Sequence, residues 1–335
     1  MFQAATNRAQ RVIRQLDLAQ SLGLDRRDLL SRVPLSESDL EDPDNRVPVL
    51  KAVRLLQIIA DLSGNPDIGL ELGQRLQIRE AGVVGYAMAY SEDLESALQR
   101  LVRFRKILDQ RAEAEFRRIG KRWRLTITTE PLLEGFRPAI DDVTTAIVVG
   151  MGQLIGRRIE PARVCFAYPK PEDTSRLREI FGSGIRFGSD HQVLEFWHRD
   201  IQTSIPDADP RLTCYLDELA EIRLGSLPDD SSLAARVRQA VWPHLSEGQP
   251  TIDTVASDLA LSSRTLQRRL REEGTSYGQL VESLRKEKAS LLLNDRNLAV
   301  YEVGYLLGYS DPSAFHRAFR RWHGRSPSQY RQLTS

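Results

Sequence analysis

The stretch from Thr251 to Arg331 constrains the chain most, because it holds two copies of one short device on either side of a single long helical segment. The first copy reads TIDTVASDLALSSRTLQRRLREEG and the second LAVYEVGYLLGYSDPSAFHRAFRRWHG. In each, an apolar-periodic helix (Ile252, Val255 and Leu259; then Val300, Val303 and Leu307) runs into a short turn, and a basic helix follows. This is the pattern of a helix-turn-helix, present twice. The second helices are marked independently. Ser262 is an N-cap whose hydroxyl can accept from a backbone N–H one turn in, with Leu261 and Leu266 at the spacing of a hydrophobic staple. In the second copy Asp311 caps and Pro312 takes the first helical position, where its missing N–H costs nothing. The periodicity turns Leu266 and Leu270 inward and Arg264, Gln267 and Arg268 outward. In the second copy it turns Phe315, Phe319 and Trp322 inward, with Ser313, His316, Arg317 and Arg320 on or near the other side.

Arg and Gln spaced along one helix face suit a major groove, where Arg pairs in bidentate fashion with guanine and Gln with adenine. A single Arg-rich face reads equally well as a solvated surface. Two such faces at the same place in two repeats favour the nucleic-acid reading. Charge agrees: from Ser231 onward there are 15 Lys and Arg against 10 Asp and Glu, and before it 32 against 36. The positive excess that can neutralise phosphates therefore lies with the duplicated device.

This segment resembles the AraC/XylS transcription regulators. The resemblance rests on SSRTLQRRL (Ser262 to Leu270), Gly274, Arg285, Ala289, Leu292, Val303, Leu307, Gly308, Tyr309, Ser310, Phe315, Phe319 and GRSPSQY (Gly324 to Tyr330). It implies two recognition helices entering successive major-groove segments of double-stranded DNA, held apart by the connecting helix. Carried over position by position, the base-reading residues become Ser263, Arg264, Gln267 and Arg268, then Pro312, Ser313, Ala314, His316 and Arg317. Gly304 stands where the family usually has Ala, a cost of up to ~1 kcal/mol in helix propensity unless close packing needs it. With Pro312, Ser313 and Ala314 at its tip, the second recognition helix offers few long side chains. The first is therefore expected to carry most base discrimination, and the second mainly phosphate positioning and shape readout.

A chain of 335 residues is long for one domain. No cationic leader with an apolar run opens it, and the longest uncharged stretch, Val143 to Gly156, is too short to span a bilayer. The expectation is a cytoplasmic protein without membrane contact, its two cysteines, Cys165 and Cys214, reduced, and Cys165 a buried small hydrophobe. Helices are expected over Arg11 to Leu22, from Asp25 to before Pro34, and over Val49 to Leu62. Further ones run over Gly69 to Arg75, from Val84, from Ser91 to Leu108, over Pro138 to Arg157, Thr174 to Phe181 and Leu212 to Leu224. Alternation from Ala114 to Arg118 and from Trp123 to Thr129 about Gly120 predicts a β-hairpin, and ARVCFAYP a strand. GIRFGSDHQVLEFW reads as a short edge strand or bulged pair.

The first 225 residues resemble the arabinose-binding type of effector domain that some members of that family carry, on DIGLELG (Asp67 to Gly73), GVVGYAM (Gly82 to Met88), EPARVCFAY (Glu160 to Tyr168) and the Phe181 to Phe187 stretch. The implied whole is an α+β effector-binding and dimerisation domain over 1–225, helices packed on a small antiparallel sheet, then a linker over 226–235 and an all-α domain with two helix-turn-helix units over 236–335. A small-molecule effector, such as an amino acid or catabolite, would lie between helices and sheet. Tyr86, Phe104, Arg105 and Trp123 are the candidate contacts, since each joins an inward direction to a polar or aromatic handle. The corresponding expectation is an activator working as a homodimer with RNA polymerase, without cofactor or metal. Leu212 to Leu224 either contributes to the dimer contact or packs on its own domain. The alternative is the same DNA-binding module fused to an enzyme or to an interaction platform that binds no effector. Neither cysteine has the basic neighbours an activated thiolate needs, and no catalytic triad, zinc or phosphate-loop spacing occurs, so no catalytic residue is expected.

Overall fold

In the computed structural model, residues 5–33, 35–111, 113–128, 136–227, 232–241, 244–245, 251–293, 298–309 and 311–333 are described. Thr129, Ser310 and residues 228–231 of the expected linker lie outside them. The chain divides into two compact units, Met1–Pro228 and Asp229–Ser335.

The first unit opens with β1 (Thr6–Arg8), which pairs antiparallel with β2 (Arg46–Pro48). Helices α1 (Ala9–Ser21) and α2 (Arg26–Arg32) lie between these strands, and α3 (Val49–Ser63) follows. Asp25 caps α2, and Gly64 closes α3 in the left-handed conformation. Leu16, Leu29, Leu55, Leu56 and Ile59 form the buried centre of this helical layer. Next come α4 (Ile68–Gln74), α5 (Val83–Ala89) and α6 (Leu94–Leu108). The last begins three residues after the expected Ser91, because Asp93 is its cap and accepts from the Ser96 N–H at 2.8 Å. Ser91 instead donates to the Ala87 carbonyl.

The hairpin forms as expected, β3 (Glu113–Ile119) with β4 (Arg122–Thr128), turning at Gly120. Then follow α7 (Arg137–Leu154), β5 (Arg163–Cys165), α8 (Ser175–Phe181), β6 (Ile185–Arg186), β7 (Gln192–Trp197), α9 (His198–Ile201) and α10 (Pro210–Gly225). The sheet order is β3-β4-β7-β5-β6, antiparallel except for the parallel edge pair β5–β6. Its inner face, Leu125, Val164, Leu194 and Phe196, is buried against Met88, Leu98, Phe104 and Met151 from the helices. Side chains alternate across a strand, so Cys165, next to the fully buried Val164, is only half-buried rather than a core residue.

Two glycines of the motif DIGLELG turn out to be packing devices. A Cβ on Gly69 would lie 2.0 Å from the Pro138 carbonyl oxygen, and one on Gly73 2.5 Å from Thr145 Cβ and 2.7 Å from the Asp142 carbonyl oxygen. One turn apart on α4, these glycines let its backbone lie directly on α7.

In the second unit α11 (Leu233–Val241) begins inside the stretch expected as linker, because Leu233 and Ala234 are buried in the core of that unit. It is followed by α12 (Ile252–Asp258), α13 (Ser263–Glu272), α14 (Tyr277–Leu292), α15 (Val300–Leu306), α16 (Pro312–His323) and α17 (Pro327–Leu333). There are two small cores, one around Val237, Val255, Leu266 and Leu270, the other around Val303, Leu307, Phe315 and Phe319. Helix α14 serves both, with Leu280, Val281 and Leu284 in the first and Ala289 in the second.

Candidate nucleic-acid interface and buried cavity

The two reading helices are built by the same local chemistry. Ser262 accepts from the Thr265 N–H at 3.2 Å to start α13, and Asp311 accepts from the Ser313 N–H at 2.9 Å to start α16. That backbone hydrogen bond holds the Asp311 carboxyl below the usual range. The turn before each helix needs a left-handed residue: Ala260 at φ 54° in the first and Gly308 at φ 74° in the second. The inward faces are fixed by Leu266 and Leu270, and by Phe315 and Phe319, all fully buried. Gly304 answers to the larger ring in the second copy, since a Cβ there would meet Phe315 at 3.3 Å. The first copy, with Leu266 in place of that ring, has Ala256.

Of the nine positions carried over, Arg264, Gln267, Arg268, Ser313, His316 and Arg317 are exposed, and Ser263, Pro312 and Ala314 are half-buried. All nine lie in the first two turns of α13 or α16. Arg264 and Gln267 make no hydrogen bond to any described residue. Arg268 stands 3.6 Å from Glu272 and Arg317 3.9 Å from Asp311, loose exposed pairs worth little in water and free to turn to a phosphate or base. Ser263 is differently placed: its hydroxyl donates to Asp253 of α12 and so ties the two helices of the first copy together.

The connecting helix holds the second copy by two contacts that the sequence pattern did not assign. Arg285 donates from Nε to the Leu307 carbonyl at 3.0 Å and lies 4.7 Å over the Tyr309 ring, fixing the turn of the second copy. Glu282 accepts from Trp322 Nε1 at 2.9 Å and from Arg321, and these donors hold its carboxyl low. In the first copy Glu273 accepts from the Leu233 and Ala234 N–H groups, capping α11 from the end of the reading helix.

The first unit has a partly open cavity of about 270 Å³ between α1, α6, α7 and the inner face of the sheet. Arg105 is on its wall, where it donates to the Val102 carbonyl and pairs with Glu113. The other three candidate contacts are not. Tyr86 is 41% exposed, because α5 turns Val84, Ala87 and Met88 to the core. Phe104 is fully buried in the core, and Trp123 stacks on Phe116 at 4.8 Å and donates to His198. The polar side of the wall comes instead from Arg8, Arg11 and Arg14, with Asp142 of α7 and Gln192 of β7. A sequence signal existed in the three-residue spacing of those arginines, but their partner Asp142 is remote in the chain.

Two helix-turn-helix units joined by one long helix, following a separate α+β unit with its own cavity, are the organisation of a DNA-binding transcription regulator. Comparison with known proteins agrees. Residues 23–205 match the N-terminal arabinose-binding domain of AraC transcription regulators, and residues 255–333 a helix-turn-helix domain. The chain is 30% identical over 318 residues to the ornithine utilization regulator of Pseudomonas aeruginosa, covering 95% of this chain and 94% of that protein. It is 28% identical over 323 residues to the HTH-type transcriptional regulator VirS of Mycobacterium tuberculosis, covering 94% and 93%. A shorter match, 35% over 85 residues, joins it to the regulator GadX of Escherichia coli, covering 25% of this chain and 31% of that one. The chain belongs to the AraC family of transcription regulators. Among the described residues no helix is long and apolar enough to cross a membrane.

Proposed function

We propose that the protein is a cytoplasmic, sequence-specific activator of transcription whose DNA affinity or geometry is set by a small molecule in the cavity of the first unit. The observation that carries this reading is the pair of reading helices whose long polar side chains, Gln267 and Arg268 in the first copy and His316 and Arg317 in the second, are exposed at equivalent places in two repeats. Direct readout requires side chains of this kind near the start of a helix. The cavity supports effector control, being apolar over most of its wall with a few convergent charged groups. An amino acid or related catabolite is the class in view, and one relative is named for the utilisation of such a compound. The protein acts as a homodimer through the exposed side chains of α10, and activation proceeds by contact with RNA polymerase.

In-vitro selection of DNA sites on the full-length protein, repeated with a metabolite panel, tests the reading. A defined motif of two blocks is expected, with an affinity that at least one metabolite changes. Recovery of no motif would remove the regulator assignment for this pair of helices. A motif insensitive to every metabolite would instead favour a first unit that serves as an interaction platform. Transcription in vitro with purified polymerase then separates activation from repression.

A further inference from the structure

The cavity of the first unit has two unlike walls. One is apolar, with Met88, Leu101, Leu125, Ile127, Ile140 and Ile147. The other brings Arg11 and Arg14 of α1 against Asp142 of α7, with Gln192 nearby on β7. Asp142 and Gln192 are each only 3% exposed. Arg11 stands 3.5 Å and Arg14 3.9 Å from the Asp142 carboxylate, and neither contact is a hydrogen bond.

The other charged groups on the wall are engaged. Arg8 is held by Asp44 and the Glu80 carbonyl, Arg14 donates to the Leu72 carbonyl, and Arg105 is paired with Glu113. Arg11 Nη1 is bonded to Asp109, and Glu80 lies 3.5 Å from Arg14. Part of the unmet polar capacity of the first unit lies on this wall. Arg11 Nε and Nη2, Asp142 Oδ1 and Gln192 Oε1 have no hydrogen-bond partner among the described residues. Buried polar groups are nearly always satisfied in folded proteins, so this set of spare donors on a cation beside spare acceptors on a carboxylate and an amide describes a ligand head group. A simple carboxylate would meet the donors and place a second negative charge beside Asp142. A simple amine would do the reverse to Arg11. A zwitterion meets both, and its remainder must be apolar to lie against the opposite wall.

Resting on the reading that this cavity holds the effector, we propose that it takes a zwitterionic α-amino acid with an apolar side chain. Arg11 receives the carboxylate; Asp142, helped by the Gln192 carbonyl, receives the ammonium group. A volume of about 270 Å³ suits a ligand of that size, since it falls just below the ~300–1,000 Å³ range of sites for larger small molecules.

The test is isothermal titration of the full-length protein with L-leucine, L-methionine and L-phenylalanine. Each is compared with the carboxylate lacking its amino group and with the amine lacking its carboxyl group. At least one amino acid should bind, with both counterparts at least ten-fold weaker. Asp142→Asn, close in shape to the native side chain, should weaken that amino acid at least ten-fold while leaving its deaminated counterpart unchanged or tighter. Arg11→Gln should weaken both, and circular dichroism of each variant controls for folding. Equal affinity for an amino acid and its deaminated counterpart, an unchanged affinity in Asp142→Asn, or no binding by any of the three amino acids would overturn the proposal. The effector reading is judged separately by thermal shift against a broad metabolite panel. A non-zwitterionic compound that raises the melting temperature sinks the zwitterion and keeps the effector, whereas a panel in which nothing binds removes both.

Discussion

Ala260 holds φ 54°, the one positive value among described residues other than glycine, at the turn where the second copy has Gly308. A left-handed conformation costs an L-residue roughly 1–2 kcal/mol, partly offset by the greater freedom that glycine loses on folding. Ala260→Gly is therefore expected to stabilise the second unit by about 0.5–1 kcal/mol, read from its urea-unfolding midpoint; an unchanged or lower midpoint contradicts this. The proposed base-reading residues lie close by on α13 and α16. Gln267 is exposed beside Arg264 and Arg268, whereas His316 follows the short side chains of Ser313 and Ala314. Gln267→Ala should relax base preference in its half of the site by about 1–3 kcal/mol of discrimination, and His316→Ala should weaken binding with little change in preference. Site selection on both variants reports this, and equal loss of preference in the two would show that the second helix reads bases as fully as the first. The caps Ser262 and Asp311 and the inward residues were legible because they obey rules that act within one or two turns. The cavity wall was not, since Arg11 and Asp142 are brought together only by tertiary packing, and Tyr86 has the composition of a contact residue on the solvent face of its helix.

Among elements, the contact of α4 with α7 shows how a motif can be visible without its reason. DIGLELG is readable as a helix with two glycines, a costly choice in a helix interior, and only the close approach to the α7 backbone explains it. A Cβ on Gly69 would meet a carbonyl oxygen at 2.0 Å, and backbone cannot swing aside. Gly69→Ala should thus destabilise the first unit by about 1–3 kcal/mol or more despite better helix propensity, seen as a lower first transition in calorimetry; a rise would mean that the two helices separate at little cost. The same junction carries a titrating group. Asp141 of α7 accepts from Tyr168 Oη at 2.5 Å and from Arg137 Nε at 3.0 Å, while Arg137 also reaches Asp67. Burial outweighs these contacts and pushes its carboxyl up to about 6. A carboxyl with a raised folded pKa contributes fully at low pH and loses its contribution as pH climbs through the folded value. Between pH 5 and pH 8, Asp141→Asn should accordingly gain on the native protein by on the order of 1–2 kcal/mol. Denaturant titrations at the two pH values measure the difference, and parallel curves would show that Arg137 and Tyr168 keep the ionised form as stable inside as in water.

For the whole molecule, the homodimer proposed above needs a contact surface, and α10 offers a candidate. Its own unit is met by Thr213 and Ala220, both buried, and by the pairs Arg100–Asp217 and Arg103–Glu221. Tyr215, Leu219 and Ile222 are left 70%, 45% and 68% exposed. These positions recur at four and three residues, so they form one stripe along the helix. Helical spacing puts Tyr215 and Leu219 on one apolar stripe with Leu212 and Leu216, and such a pattern reports a stripe without saying what covers it. A two-fold axis near Leu219 would lay an antiparallel copy on this stripe, with Tyr215 of one chain against Ile222 of the other, a self-complementary contact of the kind that closed dimers use. A Leu219→Asp, Ile222→Asp double variant places two carboxylates, and their images, in that seam. It should sediment as a monomer at concentrations where the native chain is a dimer, with an unchanged far-ultraviolet spectrum. Its affinity for a single binding site should match that of the native protein, whereas its affinity for two sites in tandem should fall at least ten-fold as the effective concentration supplied by the partner is lost. A native chain that sediments as a monomer even on tandem sites, or a double variant that remains a dimer, would move the contact away from α10 and leave its stripe to another partner.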